Sequence, residues 1–505
     1  MHTMHRPKLQ TIHGALAASA LGLFALAACG QATDTPDAHA SFEGRLAQAV
    51  SFARAHPGAF DTFADGRHDA DDIEAGRIEA PNDGAQITAE LLPLIDAAES
   101  YSEAILLARV AGQRVGDVPY VPATLSEDPK DPNWEFAGRN VTFPYALQNA
   151  LDARRALRDG MLDEMSDDEF AAFEVVEVAA HLERRELMAK ALGWTFDSRE
   201  DLYVADSPDG TIWRKKLPEG YVRAQIDAEP SSLPFDPASP PEDLLAPGQG
   251  LNYALIGSDN RGLRSRDNGY SMGSAAWEPK GAIVDDGRTT QEVPVEVDCT
   301  GVKIRPRLVA TAGHCMFKDG SWNDNTKWIP GADGIDAAEN GRDPSPNGYK
   351  TRYARVVRGN WFDHEWSNYD FGVFVLYDNS SSCSLHWHGW RKTSMSGKYI
   401  YLYGYAGERR DCAASPRANG WCNGSIYGMG GSVLNVTSYR VRYSIDTQPG
   451  QSGTGFYEID GGDRYVLGVH RGAYSSTRND GTYITSGNRD LIVDAKADYP
   501  PNACN

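Results

Sequence analysis

Gly450-Gln451-Ser452-Gly453-Thr454-Gly455 is the stretch on which the reading of this chain turns. A serine set close between glycines has little neighbouring side chain to crowd it. Its hydroxyl can meet a substrate carbonyl while backbone N–H groups collect the developing negative charge. Alone, such a run describes many ordinary turns. Two upstream segments change its meaning. Leu308-Val309-Ala310-Thr311-Ala312-Gly313-His314-Cys315 and Asn368-Tyr369-Asp370-Phe371-Gly372-Val373 set a histidine and an aspartate beside apolar, strand-like runs. Ser452 as nucleophile, His314 as base and Asp370 as the carboxylate orienting that base make a complete set for acyl transfer.

The 505 residues allow two to four domains, and a hydrophobic content of 41% is enough for each to have a core. The net charge of −21 is unevenly spread. Residues 31–250 hold 19 Lys/Arg against 42 Asp/Glu, whereas residues 251–505 hold 28 of each. An acidic first half without a basic footprint argues against nucleic-acid binding and describes a solvated surface. Six of the seven cysteines, Cys299, Cys315, Cys383, Cys412, Cys422 and Cys504, fall in the second half. An even number in one region points to three disulfides and an oxidising compartment. No Cys/His set has zinc spacing, and His386-Trp387-His388 reads as surface. No loop matches a calcium motif, so no metal and no cofactor is expected.

Arg6 and Lys8 precede an uncharged Ala/Leu/Gly run over residues 14–28, too short for a stable membrane span. Residues 1–28 therefore read as an export signal. Leu26-Ala27-Ala28-Cys29 resembles the bacterial lipobox, and Cys29 is the odd cysteine of the seven, so a lipid anchor at Cys29 is expected, with residues 29–40 as a tether. That would hold the protein to the cell envelope as a lipoprotein, periplasmic or on the surface, unless processing secretes it.

Residues 41–226 read as an acidic, mainly helical region. Apolar residues recur at three- and four-residue steps from Ala85 to Val110, from Tyr145 through Leu157 and from Phe170 to Leu192. Ser166 and Glu169 form a capping-box pattern before the last helix, and Gly193 closes it. Asp209-Gly210 between two short apolar runs predicts a hairpin. Residues 227–250, with six prolines among acidic and small residues, read as a linker. A helical region placed between an export signal and a catalytic region has the position of a propeptide. A permanent spacer is the alternative.

From Ala254-Leu255-Ile256-Gly257-Ser258 onward, the chain resembles the secreted bacterial glutamyl endopeptidases, a branch of the chymotrypsin-fold serine proteases. The resemblance runs through Cys299-Thr300-Gly301, the His314 and Asp370 segments, Gly404-Tyr405 and Asp446-Thr447 to Gly450-Gln451-Ser452-Gly453, covering about residues 254–495. It implies an all-β double barrel over residues 251–505 and an endopeptidase acting on proteins or peptides. It further implies Gly450 and Ser452 N–H groups as the oxyanion hole, and a Cys299–Cys315 disulfide bracing the His314 loop. Cys412 and Cys422 flank a turn-forming stretch and are expected to close a hairpin, which leaves Cys383 and Cys504 as the third pair.

The same resemblance implies that Thr447 and His470 hold a substrate carboxylate, giving cleavage after Glu and less readily Asp. Asp446 stands where trypsin carries its cation-binding Asp, so a preference for Arg or Lys is the rival reading. A surface lipoprotein that binds without turnover is a rival from another class. Gly455 replaces a proline usual in the family, which predicts a looser turn. The family uses the free α-amino group of its mature N-terminus, and the matching Leu255 lies far inside this chain. A latent precursor, cut near Leu255 by a separate maturation protease, is therefore expected.

Overall fold

The protein was analysed as a computed structural model that describes residues 41–57, 83–116, 121–122, 125, 132–141, 143–232, 262–264, 280–285, 297–323, 326–331, 350–378, 383–406, 426–475 and 477–501. The first 28 residues, Cys29 and its tether, Leu255, Cys412, Cys422 and Cys504 lie outside them.

Helices α1 (Phe42–Ala55), α2 (Asp83–Asp96), α3 (Tyr101–Ala111), α4 (Tyr145–Glu164) and α5 (Asp167–Leu192) make up more than half of the described residues of the acidic region. Helix α5 starts and stops as its sequence dictates. Ser166 accepts from the Glu169 N–H, Glu169 answers at the Ser166 N–H, and Gly193 closes the helix in the left-handed conformation. The amphipathic pattern over 85–110 divides instead into two helices. Ser100 caps α3 by accepting from Glu103 N–H, and every residue of α3 is buried, so it runs through the core rather than along the surface. The hairpin forms as expected: β2 (Asp201–Asp206) and β3 (Thr211–Lys216) turn at Gly210, whose φ of 78° suits glycine. Strand β1 (Trp134–Arg139) adds to β3.

The second half is built of two six-stranded antiparallel barrels. The first comprises β4 (Lys280–Asp285), β5 (Val297–Lys303), β6 (Leu308–Thr311), β7 (Thr326–Pro330), β8 (Lys350–Val357) and β9 (Gly372–Leu376), closed by β8 pairing with both β7 and β9. The second comprises β10 (Tyr399–Tyr405), β11 (Ile426–Val436), β12 (Arg440–Tyr443), β13 (Gly455–Asp460), β14 (Asp463–Ser475) and β15 (Arg478–Tyr483), closed by β13 pairing with β14. Closure gives each strand of both rings a neighbour on either side for part of its length, which suits the short strands and frequent turns. Two short helices, α6 (Gly359–His364) and α7 (Ser486–Asp498), pack against the first barrel's strands or the elements beside them.

The acidic region does not end at its own boundary. Strand β2 pairs with β8, Val204 opposite Val357 and Asp206 opposite Arg355, so β1, β3 and β2 extend the first barrel's sheet. One hydrophobic cluster runs without a break from Leu46, Ile95 and Leu107 to Val309, Val356 and Val375. The second barrel has a separate cluster around Leu402, Val441 and Phe456. The proline-rich stretch begins as structure: Ala228–Glu229 pairs with Trp390–Arg391, and Trp390 Nε1 donates to Glu229 at 2.9 Å. Among the described residues, no helix is long and apolar enough to cross a membrane.

Candidate functional site

His314, Asp370 and Ser452 arrive on three separate segments. His314 sits in a single 3-10 turn, Gly313–Cys315, directly after β6. Cys315 of that turn is disulfide-bonded to Cys299 on β5, which ties the turn to the barrel wall. Gly313 must be glycine, because a Cβ there would lie 2.8 Å from the Trp361 ring. Asp370 follows the turn Ser367–Tyr369 and precedes β9. It is 1% exposed. Its carboxylate accepts twice from His314, from the backbone N–H at 2.9 Å and at Nδ1 at 2.7 Å. Burial pushes the Asp370 carboxyl up, but His314 and Arg471 beside it outweigh that and hold it below the ordinary carboxylate value.

Ser452 occupies the tight turn before β13. Gly453 follows it with φ of 79°, and a Cβ there would fall 2.1 Å from Thr311 Oγ1 and 2.2 Å from the Thr300 carbonyl. The serine turn therefore presses against the strand ends that lead into His314. Thr300 N–H donates to the Ser452 carbonyl at 2.7 Å, and Gly453 N–H donates to the His470 carbonyl at 2.7 Å. Gln451, fully buried, spans the turn: its Oε1 accepts from Gln448 N–H and its Nε2 donates to the Tyr427 carbonyl. The Ser452 hydroxyl donates to the Arg471 carbonyl at 3.0 Å rather than to His314. Among the described residues, the N–H groups of Gly450 and Ser452 have no hydrogen-bond acceptor.

Gly455 behaves differently from its sequence expectation. It opens β13, and a Cβ there would lie 2.4 Å from Val302. The glycine permits close packing of the two barrels rather than loosening a turn.

His470 is 1% exposed, and burial drives its pKa down to about 3. It is a neutral imidazole at ordinary pH. Its Nδ1 lies 2.7 Å from the Tyr443 hydroxyl and 3.1 Å from the Asp480 carbonyl. Thr447 is buried, and no hydrogen bond joins it to His470. Asp446 is 1% exposed and has interactions of its own. Sequence reasoning missed Tyr443 and Gln448. The first lies on a different strand from His470; the second has a buried side-chain amide with no hydrogen-bond partner among the described residues. It also missed Arg471, which is adjacent to His470 and 3.7 Å from Asp370.

A cysteine pair with a histidine beside it, Cys299, Cys315 and His314, has the compactness of a metal site. Both sulfurs are consumed in one disulfide, so the set lacks the thiolates a metal would need. Cys383 is also disulfide-bonded, to a partner outside the described residues.

No protein-family model matches the chain. It is 27% identical over 242 residues to a glutamyl endopeptidase of Bacillus licheniformis, covering 46% of this chain and 66% of that protein. This chain contains a glutamyl endopeptidase-like region. The chain is also 27% identical over 191 residues to an extracellular metalloprotease of Bacillus subtilis, covering 37% of this chain and 55% of that one. The chain thus spans about two thirds of the first relative's length and about half of the second's. Among solved structures, the chain is similar to a Glu endopeptidase in complex with MPD, at 24% identity over 48% of this chain and 99% of that one, with a TM-score of 0.38. It also aligns with the protease Anisep from Arthrobacter nicotinovorans, at 19% identity over 44% of this chain and 96% of that one, with a TM-score of 0.35.

Proposed function

We propose that the double-barrel region is a serine endopeptidase in which Ser452 attacks the scissile carbonyl of a peptide or protein. The observation that carries this reading is the doubly bonded His314–Asp370 pair, whose 2.7 Å contact leaves Nε2 of His314 to act as base. For the attack, the Ser452 hydroxyl exchanges the Arg471 carbonyl for that nitrogen as its acceptor. His314 takes the proton, the Gly450 and Ser452 N–H groups receive the oxyanion, and His314 returns the proton to the leaving amine. Water then repeats the sequence on the acyl-enzyme. Asp370 stays ionised throughout, which its lowered pKa favours.

Glu, and less readily Asp, is the proposed residue before the cut. A neutral His470 whose Nδ1 accepts from Tyr443 presents Nε2–H as a donor to a carboxylate, and the Thr447 hydroxyl is the proposed second donor. Burial of Asp446 among its own interactions speaks against its receiving Arg or Lys. Export, a lipid anchor at Cys29 and activation by a second protease cutting before Leu255 belong to the same proposal. They rest on the leader composition and the family resemblance.

The test is a mixed-sequence peptide pool offered to the full chain and to the chain cut before Leu255, each beside Ser452→Ala. Ser452-dependent cuts after Glu, appearing once the chain is cut, are expected. Cuts after Arg or Lys would reassign the pocket to Asp446. Absence of cuts together with no labelling of Ser452 by a fluorophosphonate would make the region a binding module.

A further inference from the structure

We propose that the acidic region, residues 42–229, is a permanent partner of the barrels: it stays bound after any cut in the linker and positions Asp370. Its contact with the barrels has the character of an interior. Strand β2 completes an edge of β8 that would otherwise expose backbone groups, and the hydrophobic cluster is shared. Ion pairs cross the junction in near-complete burial. Arg355 meets Asp206 at 2.6 Å with side chains 1% and 2% exposed, and Arg214 meets Asp363 with 4% and 9%. Parting the two regions would strand these charges, the costly way to break a buried pair.

The second observation is where this region touches the site. Phe170 of α5 packs edge-on against Trp366 and Tyr439 and lies beside Tyr369. Glu174 accepts from the hydroxyl of Tyr369 and from Asn360, and Arg158 of α4 donates to the carbonyls of His364 and Glu365. The segment that delivers Asp370 is thus gripped by side chains from outside the barrels. Arg471 extends the grip to charge: its guanidinium lies 3.7 Å from Asp370, 3.6 Å from Asp159 of α4 and 3.5 Å from Asp480. Arg440 links Asp480 to Asp163 in the same cluster. By contrast, no described residue of 42–229 hydrogen-bonds to Ser452, His314 or Thr447, and both Ser452 and His314 keep some exposure. The described residues of the acidic region hold the back of the site and make no hydrogen bond at its mouth, which is not the contact pattern of a plug.

Retention stands without the enzymatic reading; positioning rests on it. For retention, a recognition sequence for a site-specific protease is placed in residues 240–246 of the full chain. After complete cutting, size-exclusion chromatography at physiological salt is expected to show both pieces in one peak of full-length mass. Pieces that part, in solution or by precipitation of one, overturn it. For positioning, Asp159→Asn removes a negative charge behind Arg471, making the surroundings of His314 more positive and its imidazolium less favoured. The acid limb of the kcat/KM profile against pH is expected to move down by about half a unit, with Asp159→Glu restoring it. A Ser452-dependent profile that does not move overturns positioning. A chain cut before Leu255 whose pieces elute together, yet which cleaves nothing and takes no fluorophosphonate at Ser452, refutes the serine endopeptidase reading and leaves retention standing.

Discussion

The Tyr443 hydroxyl lies 2.7 Å from Nδ1 of His470 and 3.1 Å from the Asp480 carbonyl, and its single proton can serve only one of them. Given to His470, it makes Nε2 a donor. Given to Asp480, it leaves Nδ1 as the protonated nitrogen and Nε2 bare. Tyr443→Phe removes the first arrangement, because Nδ1–H then bonds the Asp480 carbonyl. With a Glu peptide, KM is expected to rise by about tenfold, the worth of roughly one charge-assisted hydrogen bond, with a smaller change in kcat. Steady-state kinetics on paired Glu and Gln peptides check it: discrimination unchanged by the substitution would remove Tyr443 from the pocket.

Asp370 fixes the tautomer of His314 through two bonds to the same residue. Asp370→Asn keeps the shape but reverses the hydrogen-bond demand at one oxygen. A loss of about 10⁴ in kcat is expected, with fluorophosphonate labelling of Ser452 slowed in parallel and KM little affected. A loss below tenfold would mean that the contact is structural.

Gly453 has no room for a side chain and a backbone that alanine resists. Gly453→Ala should lower unfolding free energy by about 1–3 kcal/mol and, because the turn must withdraw from Thr311, reduce kcat more than the stability loss explains. Chemical denaturation alongside kinetics at a temperature where the variant is folded separates the two effects. Full activity in a folded variant would refute the close approach.

Acid should destabilise this protein well above the carboxylate range. Burial lowers the pKa of His181, drives His364 well below its ordinary 6.5, and brings His470 to about 3. The unfolded chain then binds more protons than the folded one as pH falls below 6.5, so stability falls with it. Glu365 works the other way: burial and Asp319 raise it from 4.5 to about 7, a contribution lost as pH rises through that window. The three histidines, set against Glu365 and against Asp319, whose carboxyl burial also raises, predict a Tm that drops between about pH 7 and pH 5. His364→Phe, which keeps a ring beside Trp366, should flatten the drop. A Tm independent of pH over that range would contradict the burial of these rings as neutral groups.

Local chemistry was legible in the chain itself. The Ser166 cap, the Gly193 stop and the Gly210 turn are each decided by residues within a few positions, and the structure forms all three. The Cys299–Cys315 bond was reached through family resemblance, and the fold places the two sulfurs together. Where side chains meet across hundreds of positions, the sequence carries no such signal. Nothing near Asp206 announces Arg355, nothing near Asp159 announces Arg471, and Tyr443 looks like any aromatic strand residue until β15 brings the Asp480 carbonyl to it. The division of 85–110 into two helices had a local sign in Ser100 and Glu103, but the deciding fact was tertiary: α3 is buried on every side, so an amphipathic reading could not describe it.

By itself, then, the sequence determined where helices cap and strands turn, because those preferences are settled by neighbours in the chain. Only the tertiary structure decided that the acidic region is built into the first barrel. That outcome depends on the shared burial of Leu46, Leu107 and Val375 and on charges paired away from water, quantities that exist only once distant segments have excluded solvent between them.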